Sequence, residues 1–113
     1  MAIAVSIRTP DSTVFEGAVD GMVVPGTHGE FAVLTDHAPM IGAVAPGILR
    51  TDKTGAGSAF FVVGAGVIEV LRNQVVVLTD SVVAARSAED AEDRLEALLK
   101  DLSRPLVLKA GAS

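Results

Sequence analysis

Pro25-Gly26-Thr27-His28-Gly29-Glu30-Phe31-Ala32-Val33-Leu34-Thr35-Asp36-His37-Ala38-Pro39 gathers two prolines, two glycines and both histidines of the chain into one run. Only its middle, Phe31 to Leu34, is apolar enough to form a strand. Proline presets φ and glycine tolerates unusual backbone angles, so the run reads as turn, short strand, turn. Turns of this density set a rigid loop surface, and such surfaces often carry function.

The same rhythm extends in both directions. Ile3, Val5 and Ile7 alternate with Ala4, Ser6 and Arg8, the period of a half-buried strand. Thr9-Pro10-Asp11-Ser12 is a turn, and Val14 to Gly17 a short extended piece. Ala18 to Val24 is expected as one strand that Pro25-Gly26 ends. Met40 to Val44 is extended and stops at Pro46-Gly47. Ile48 to Thr51 and Ala59 to Val63 flank the loop Asp52 to Gly57, a hairpin. Gly64 and Gly66 signal a bend where backbones approach closely. Val67 to Leu71 and Val75 to Thr79, separated by Arg72-Asn73-Gln74, form a second hairpin. Many short strands with closely spaced turns imply an antiparallel β-sandwich or barrel.

After Asp80 the period changes. Ser87 is placed to cap a helix, with Glu89 and Asp90 in its first turn. Ala91, Leu95, Leu98, Leu99 and Leu102 recur at helical spacing, and Pro105 ends the helix near Ser103. The expected architecture is mainly β: an antiparallel sandwich over 1–86, then a helix and tail over 87–113. The stripe Ala91, Leu95, Leu98 and Leu102 needs an apolar surface. The sandwich itself is the expected one, because appended helices usually bury their stripe locally; a partner protein is the alternative.

The chain has 113 residues, enough for one modest domain with a small appendage. Half of them are hydrophobic, while aromatics are 4% with no Trp or Tyr, so the core must be aliphatic. The net charge of -5 excludes a basic nucleic-acid surface and gives no attraction to anionic lipid. Partners should be neutral or basic protein surfaces. With no cysteine, disulfides and thiolate metal sites are excluded. No stretch is long and apolar enough to span a membrane. Met1 to Val5 lacks a basic lead and reads as a strand, not a signal peptide, so a cytoplasmic location is expected.

Convincing catalytic chemistry is missing. His28 and His37 would need Glu30 or Asp36 as further metal ligands, and nine residues across a strand is no recognised ligand spacing. Thr54-Gly55-Ala56-Gly57 lacks the lysine of a phosphate-binding loop. Gly64-Ala65-Gly66 lacks the third glycine and the helix of a dinucleotide site. The acids Glu89, Asp90, Glu92 and Asp93 read as a solvated helix face. The residues point to a binding or structural module with no catalytic residue, cofactor or metal. A free-standing ligand-binding sandwich and a small hydrolase using His28 and His37 are the alternatives.

Several segments, in order, resemble the epsilon subunit of the F-type ATP synthase, called delta in mitochondria. They are Thr9-Pro10 with Val14-Phe15-Glu16-Gly17; Val24-Pro25-Gly26; Gly29-Glu30-Phe31; Val33-Leu34; His37-Ala38-Pro39; Pro46-Gly47; Gly66 to Val70; and Val75 to Leu78 with Asp80. The likeness covers about residues 3 to 86 and weakens through the helix. It implies a β-sandwich followed by a helical part, and a non-catalytic rotor subunit that couples proton flow to ATP synthesis. The partners it implies are the gamma subunit and the ring of membrane rotor subunits, with the catalytic-head subunits as a further candidate. It places the chain peripherally, at the cytoplasmic face of the inner membrane. The family's ring contact maps onto Glu30, Phe31, His37, Ala38 and Pro39. Two departures stand out. Thr35-Asp36 replace the family's common Pro-Gly before the histidine. The family's ATP motif, an Asp followed three residues later by Arg-Ala, aligns with Glu89, Glu92 and Asp93, so an acid stands where arginine would meet phosphate. The resemblance therefore implies neither ATP sensing nor strong inhibition of hydrolysis here.

Overall fold

A computed structural model describes residues 2–102. Ten strands and one helix follow in order: β1 (Ile3–Arg8), β2 (Thr13–Val19), β3 (Gly21–Gly26), β4 (Gly29–Leu34), β5 (Met40–Val44), β6 (Gly47–Lys53), β7 (Gly57–Val63), β8 (Gly66–Leu71), β9 (Gln74–Thr79), β10 (Val82–Ala85) and α1 (Ala88–Leu102). The strands join in the order β10-β7-β6-β3-β5-β8-β9-β1-β2, with β4 paired to β3. Strand β3 meets β5 at a single position, Gly26 with Val44. The sheet folds over at this joint into two layers: β10-β7-β6-β3-β4 and β5-β8-β9-β1-β2. The Ala45 N–H donates to the Pro25 carbonyl (2.8 Å) and completes the joint.

Alternation decides what lies between the layers. In β1, Ile3, Val5 and Ile7 point inward and are buried; in β9, Val75 and Val77 do the same; in β8, Ile68 and Val70. Val19, Met22, Val24, Val33, Val44, Leu49, Val63 and the one aromatic Phe61 complete the largely aliphatic interior. The main aromatic contact is Phe15 against Phe61, with ring centroids 5.3 Å apart and tilted by 59°.

Four expectations need correction. Ala18 to Val24 is not one strand: the chain leaves β2 at Val19 and enters β3 at Gly21. Asp20 makes the break, because its N–H donates to the Asp52 carbonyl and its carboxylate accepts the Thr54 N–H. Pro25-Gly26 do not follow β3 but are its last two residues, since the Pro25 carbonyl is used in the layer joint and its missing N–H is not needed there. The sheet is not wholly antiparallel: β1 runs parallel to β9, from Ala4 beside Gln74 to Arg8 beside Leu78. Finally, β10 was not expected. Its four residues carry no alternation, and they are extended only because they pair with β7.

Gly66 shows how closely the backbones approach at the β7–β8 corner. A Cβ there would lie 2.1 Å from the Leu78 carbonyl oxygen and 2.7 Å from the Thr79 Cα. Both are backbone atoms of the paired strand and cannot swing away. Gly66→Ala is expected to cost about 3 kcal/mol through forced strand separation. Thermal melting should fall by about 12–24 °C; an unchanged midpoint would show that β8 and β9 can separate freely here.

Helix α1 begins as its sequence predicts: the Asp90 N–H donates to the Ser87 Oγ (3.1 Å). It packs on the outer side of β6, β7 and β10. Val62 shows the effect. Its neighbours Phe61 and Val63 belong to the interior, whereas Val62 faces outward, yet it is buried. The helix covers it, and Ala91 is fully buried at that contact. Leu95 and Leu98 are half-buried, while Leu99 and Leu102 are exposed. The apolar stripe thus docks through its first turns on the protein's own sheet.

Candidate functional site

The two layers differ on their outer faces. One is covered by α1. The other, formed by β5, β8, β9, β1 and β2, carries exposed apolar side chains on three adjacent strands. Ile41 is 77% exposed, Leu71 54%, Val67 50% and Leu78 42%. The register explains their alignment. Ala43, Val67, Leu78 and Arg8 form one row across β5, β8, β9 and β1. The next row runs Ile41, Glu69, Val76, Ser6 and Glu16. Apolar groups concentrate on β5 and β8, and polar ones on β1 and β2. There the Arg8 Nε–H donates to the Ser6 Oγ (2.7 Å). Exposed Glu69 stands among these apolar groups, between Val67 and Leu71 on β8; a cluster of exposed apolar side chains with interspersed and marginal polar groups is the surface character of a protein-docking face.

Of the expected contact residues, Glu30 and Phe31 lie in the first half of β4, and His37, Ala38 and Pro39 lie beyond its far end. Glu30 sits at its start, opposite Pro25, next to the hairpin tip Thr27-His28. Phe31 is half-buried and packs against the core. His37, Ala38 and Pro39 follow the far end of β4 and precede β5. These residues therefore do not form one loop: Glu30 and Phe31 belong to β4, and the rest of that strand with the turn Thr35-Asp36 separates them from His37. His28 and His37 are parted in the same way. The His37 Nδ1–H donates to the Ala38 carbonyl (2.7 Å), which fixes the ring against its own loop. Among the described residues, no three histidine or acidic side chains converge as a metal site.

Pro39 brings the second group to the apolar face. Pro39, Ile41, Glu69 and Leu71 line one shallow depression where the β4–β5 loop meets β8. The sequence reading singled out His37 to Pro39 but missed Ile41, Val67, Leu71 and Leu78. Each sits in a segment read correctly as a strand. Alternation alone shows that such residues oppose the core side, but not that nothing covers them.

Residues 2–85 match the family described as ATP synthase, Delta/Epsilon chain, beta-sandwich domain. The chain belongs to that family. It is 34% identical over 106 residues to the ATP synthase epsilon chain of Synechococcus sp. (strain JA-2-3B'a(2-13)), covering 94% of this chain and 75% of the relative. It is 36% identical over 113 residues to the epsilon chain of Dehalococcoides mccartyi (strain BAV1), covering 96% of this chain and 80% of the relative. Against the epsilon chain of Dichelobacter nodosus it is 36% identical, spanning 63% of that relative's length. Its fold is similar to a chain of the Euglena gracilis mitochondrial ATP synthase solved as OSCP/F1/c-ring. The TM-score there is 0.71 at 23% identity, with 97% of this chain and 72% of that chain covered. This epsilon-family β-sandwich accounts for the two-layered sheet; α1 follows it at Ala88–Leu102. No helix among the described residues is long and apolar enough to cross a membrane.

At the helix start, Asp90 accepts the Arg86 N–H (2.9 Å) and the Arg94 Nε–H (3.0 Å). These bonds, the backbone one foremost, hold its carboxyl below the ordinary 3.8. The folded value is the lower one. The cap's contribution is therefore present above the ordinary value and is lost as pH falls through the folded value. On acidification from about pH 6 to about pH 2, the amide signals of residues 88–91 should lose helical character before those of the sheet. Helix signals that stay constant across that range would remove Asp90 from the capping role.

Proposed function

We propose that this chain is a non-catalytic central-stalk subunit of an F-type ATP synthase. The bare apolar face of β5, β8 and β9 docks on the gamma subunit, and the two ends of β4 meet the ring of membrane rotor subunits. The observation that carries this reading is the asymmetry of the sandwich: α1 covers one outer face, while the other presents Ile41, Val67, Leu71 and Leu78 to solvent. Burying such a patch against a second protein is worth about 25 cal/mol per Å2 of apolar area. A chain that docks in this way transmits rotation by rigid contact, and no reacting group is required of it.

The ring contact is assigned to Glu30 and Phe31 on one side and to His37, Ala38 and Pro39 on the other. Strand β4 spans the space between them as an outer strand paired to β3. Acidic and imidazole groups at its ends suit polar and basic ring loops. The docking unit is assigned to 1–86 and the helix and tail to 87–113, of which the tail and the expected helix end at Ser103 to Pro105 lie outside the described residues; the stripe Ala91, Leu95, Leu98 and Leu102 starts on the sandwich and leaves Leu102 exposed. The catalytic-head subunits are the partners within reach of such a helix in an assembled complex. Glu92, where the family motif has arginine, argues against ATP sensing. The chain is then held peripherally at the cytoplasmic face of the membrane through the complex.

Size-exclusion chromatography of this chain with the gamma subunit from the same source tests the reading. A stoichiometric complex is expected. Two separate peaks, with both proteins folded, would overturn it in favour of a free-standing binding module.

A further inference from the structure

Asn73 occupies a junction that none of the residues discussed so far accounts for. Its side-chain Oδ1 accepts the Asp36 N–H (2.7 Å), and its Nδ2–H donates back to the Asp36 Oδ1 (3.2 Å). Its carbonyl accepts the Ala4 N–H (2.8 Å). One residue thus ties together the β8–β9 hairpin, the edge of β1 and the β4–β5 loop, which lies 37 positions away in sequence from it.

The backbone at this junction is unusual. Among the described residues, two that are not glycine have positive φ: Asp36 at 64° and Arg72 at 56°. Both adjoin Asn73, Arg72 through the chain and Asp36 through the paired hydrogen bonds. Left-handed geometry at a residue bearing a Cβ is unfavourable and persists only where surrounding contacts hold it. For Asp36 those contacts include the two bonds to Asn73, beside the His37 N–H to Leu34 carbonyl bond (3.2 Å) that closes the turn. Asp36 in turn directs the chain into His37, Ala38 and Pro39, and Pro39 closes onto Ile41 and Leu71.

We infer that Asn73 is a positioning residue: it clamps the loop 36–39 to the β8–β9 hairpin, so that the loop and the apolar face present one preformed docking surface. This rests on the docking role proposed above. Preforming a loop removes the entropy of ordering it during association, so the clamp should act on affinity more than on stability.

The test uses the full chain and the gamma subunit from the same source, with amide exchange and binding measured in parallel. In Asn73→Ala, the hydrogen-bonded amides of Asp36 and His37 should lose protection by about tenfold. Affinity should fall by about five- to tenfold while the melting temperature moves only a few degrees. Asp36→Gly supplies the control, because glycine holds the left-handed turn without help. In that background Asn73→Ala should change affinity by less than about twofold. Unchanged exchange in Asn73→Ala overturns the clamp. Exchange that rises with affinity unchanged overturns its docking role, as does an equal affinity loss in both backgrounds. Failure of the unmodified chain to bind gamma would defeat the functional reading instead, and exchange would still decide whether the clamp exists.

Discussion

Val77→Asp is expected to abolish cooperative folding at moderate temperature. Val77 is fully buried in β9, between Ile7 of β1 and Ile68 of β8, both of which are themselves fully buried. No charged side chain is buried among the described residues, and the hydroxyl two places on in β9, Thr79, already donates to the Ser81 carbonyl (2.8 Å), so the substituted side chain would be buried as a lone charge or forced to take up a proton. Either route costs several kcal/mol. Against a total stability of about 5–15 kcal/mol, that is a large share. With a loss of about 4 kcal/mol, the thermal midpoint should fall by about 15–30 °C. Leu78→Asp is the matched comparison. It lies one residue on, points to the opposite side, is 42% exposed and sits beside Arg8. Its melting curve should stay within a few degrees of the parent. Far-UV circular dichroism with thermal melting reads both. If Val77→Asp folds as well as Leu78→Asp, the inward and outward sides of β9 have been assigned the wrong way round.

The double substitution Ile41→Asp with Val67→Asp is expected to cut affinity for the gamma subunit by at least about 100-fold, or ~2.7 kcal/mol, while leaving the chain folded. Ile41 and Val67 project from adjacent strands and are 77% and 50% exposed, so their loss removes little from the interior. On docking, both new carboxylates would have to be desolvated. One of them would also stand across from Glu69 on the neighbouring strand, adding like-charge repulsion. Binding measured by calorimetry, with circular dichroism as the folding control, distinguishes the outcomes. Unimpaired binding by a folded double variant would move the docking surface off the β5–β8–β9 face. The site would then have to be sought along β4 or on the exposed end of α1.

Much of this molecule is legible in the order of its residues. The period-two alternation of Ile3, Val5 and Ile7, or of Val75 and Val77, names both a strand and its buried side, because consecutive side chains leave a strand on opposite faces. Ser87 and the acids after it mark the start of α1, because a helix terminus leaves N–H groups that such side chains satisfy. The ordered segments from Thr9-Pro10 to Asp80 are enough to reveal the family. What is not legible depends on pairings between distant segments. Strand β10 exists because β7 offers it an edge. Pro25 is tolerated at the end of β3 because its carbonyl, not its missing N–H, is what the layer joint uses. The break at Asp20 needs Asp52 and Thr54, more than thirty residues away.

The candidate site divides along the same line. That Glu30 and His37 stand near turns follows from the sequence, but their placement at opposite ends of β4 is a matter of three-dimensional extent, since an extended strand separates its ends by about 3.3 Å per residue. Nor can composition distinguish Val62 from Val67. Both are outward-facing valines of a strand; one is buried and the other half-exposed because α1 lies on β7 and not on β8. Local chemistry, repeated at a fixed period, determined most of the strands, where the helix begins and which of their side chains enter the core. Only the tertiary structure decided which outer face remained bare, because that depends on where the helix comes to rest.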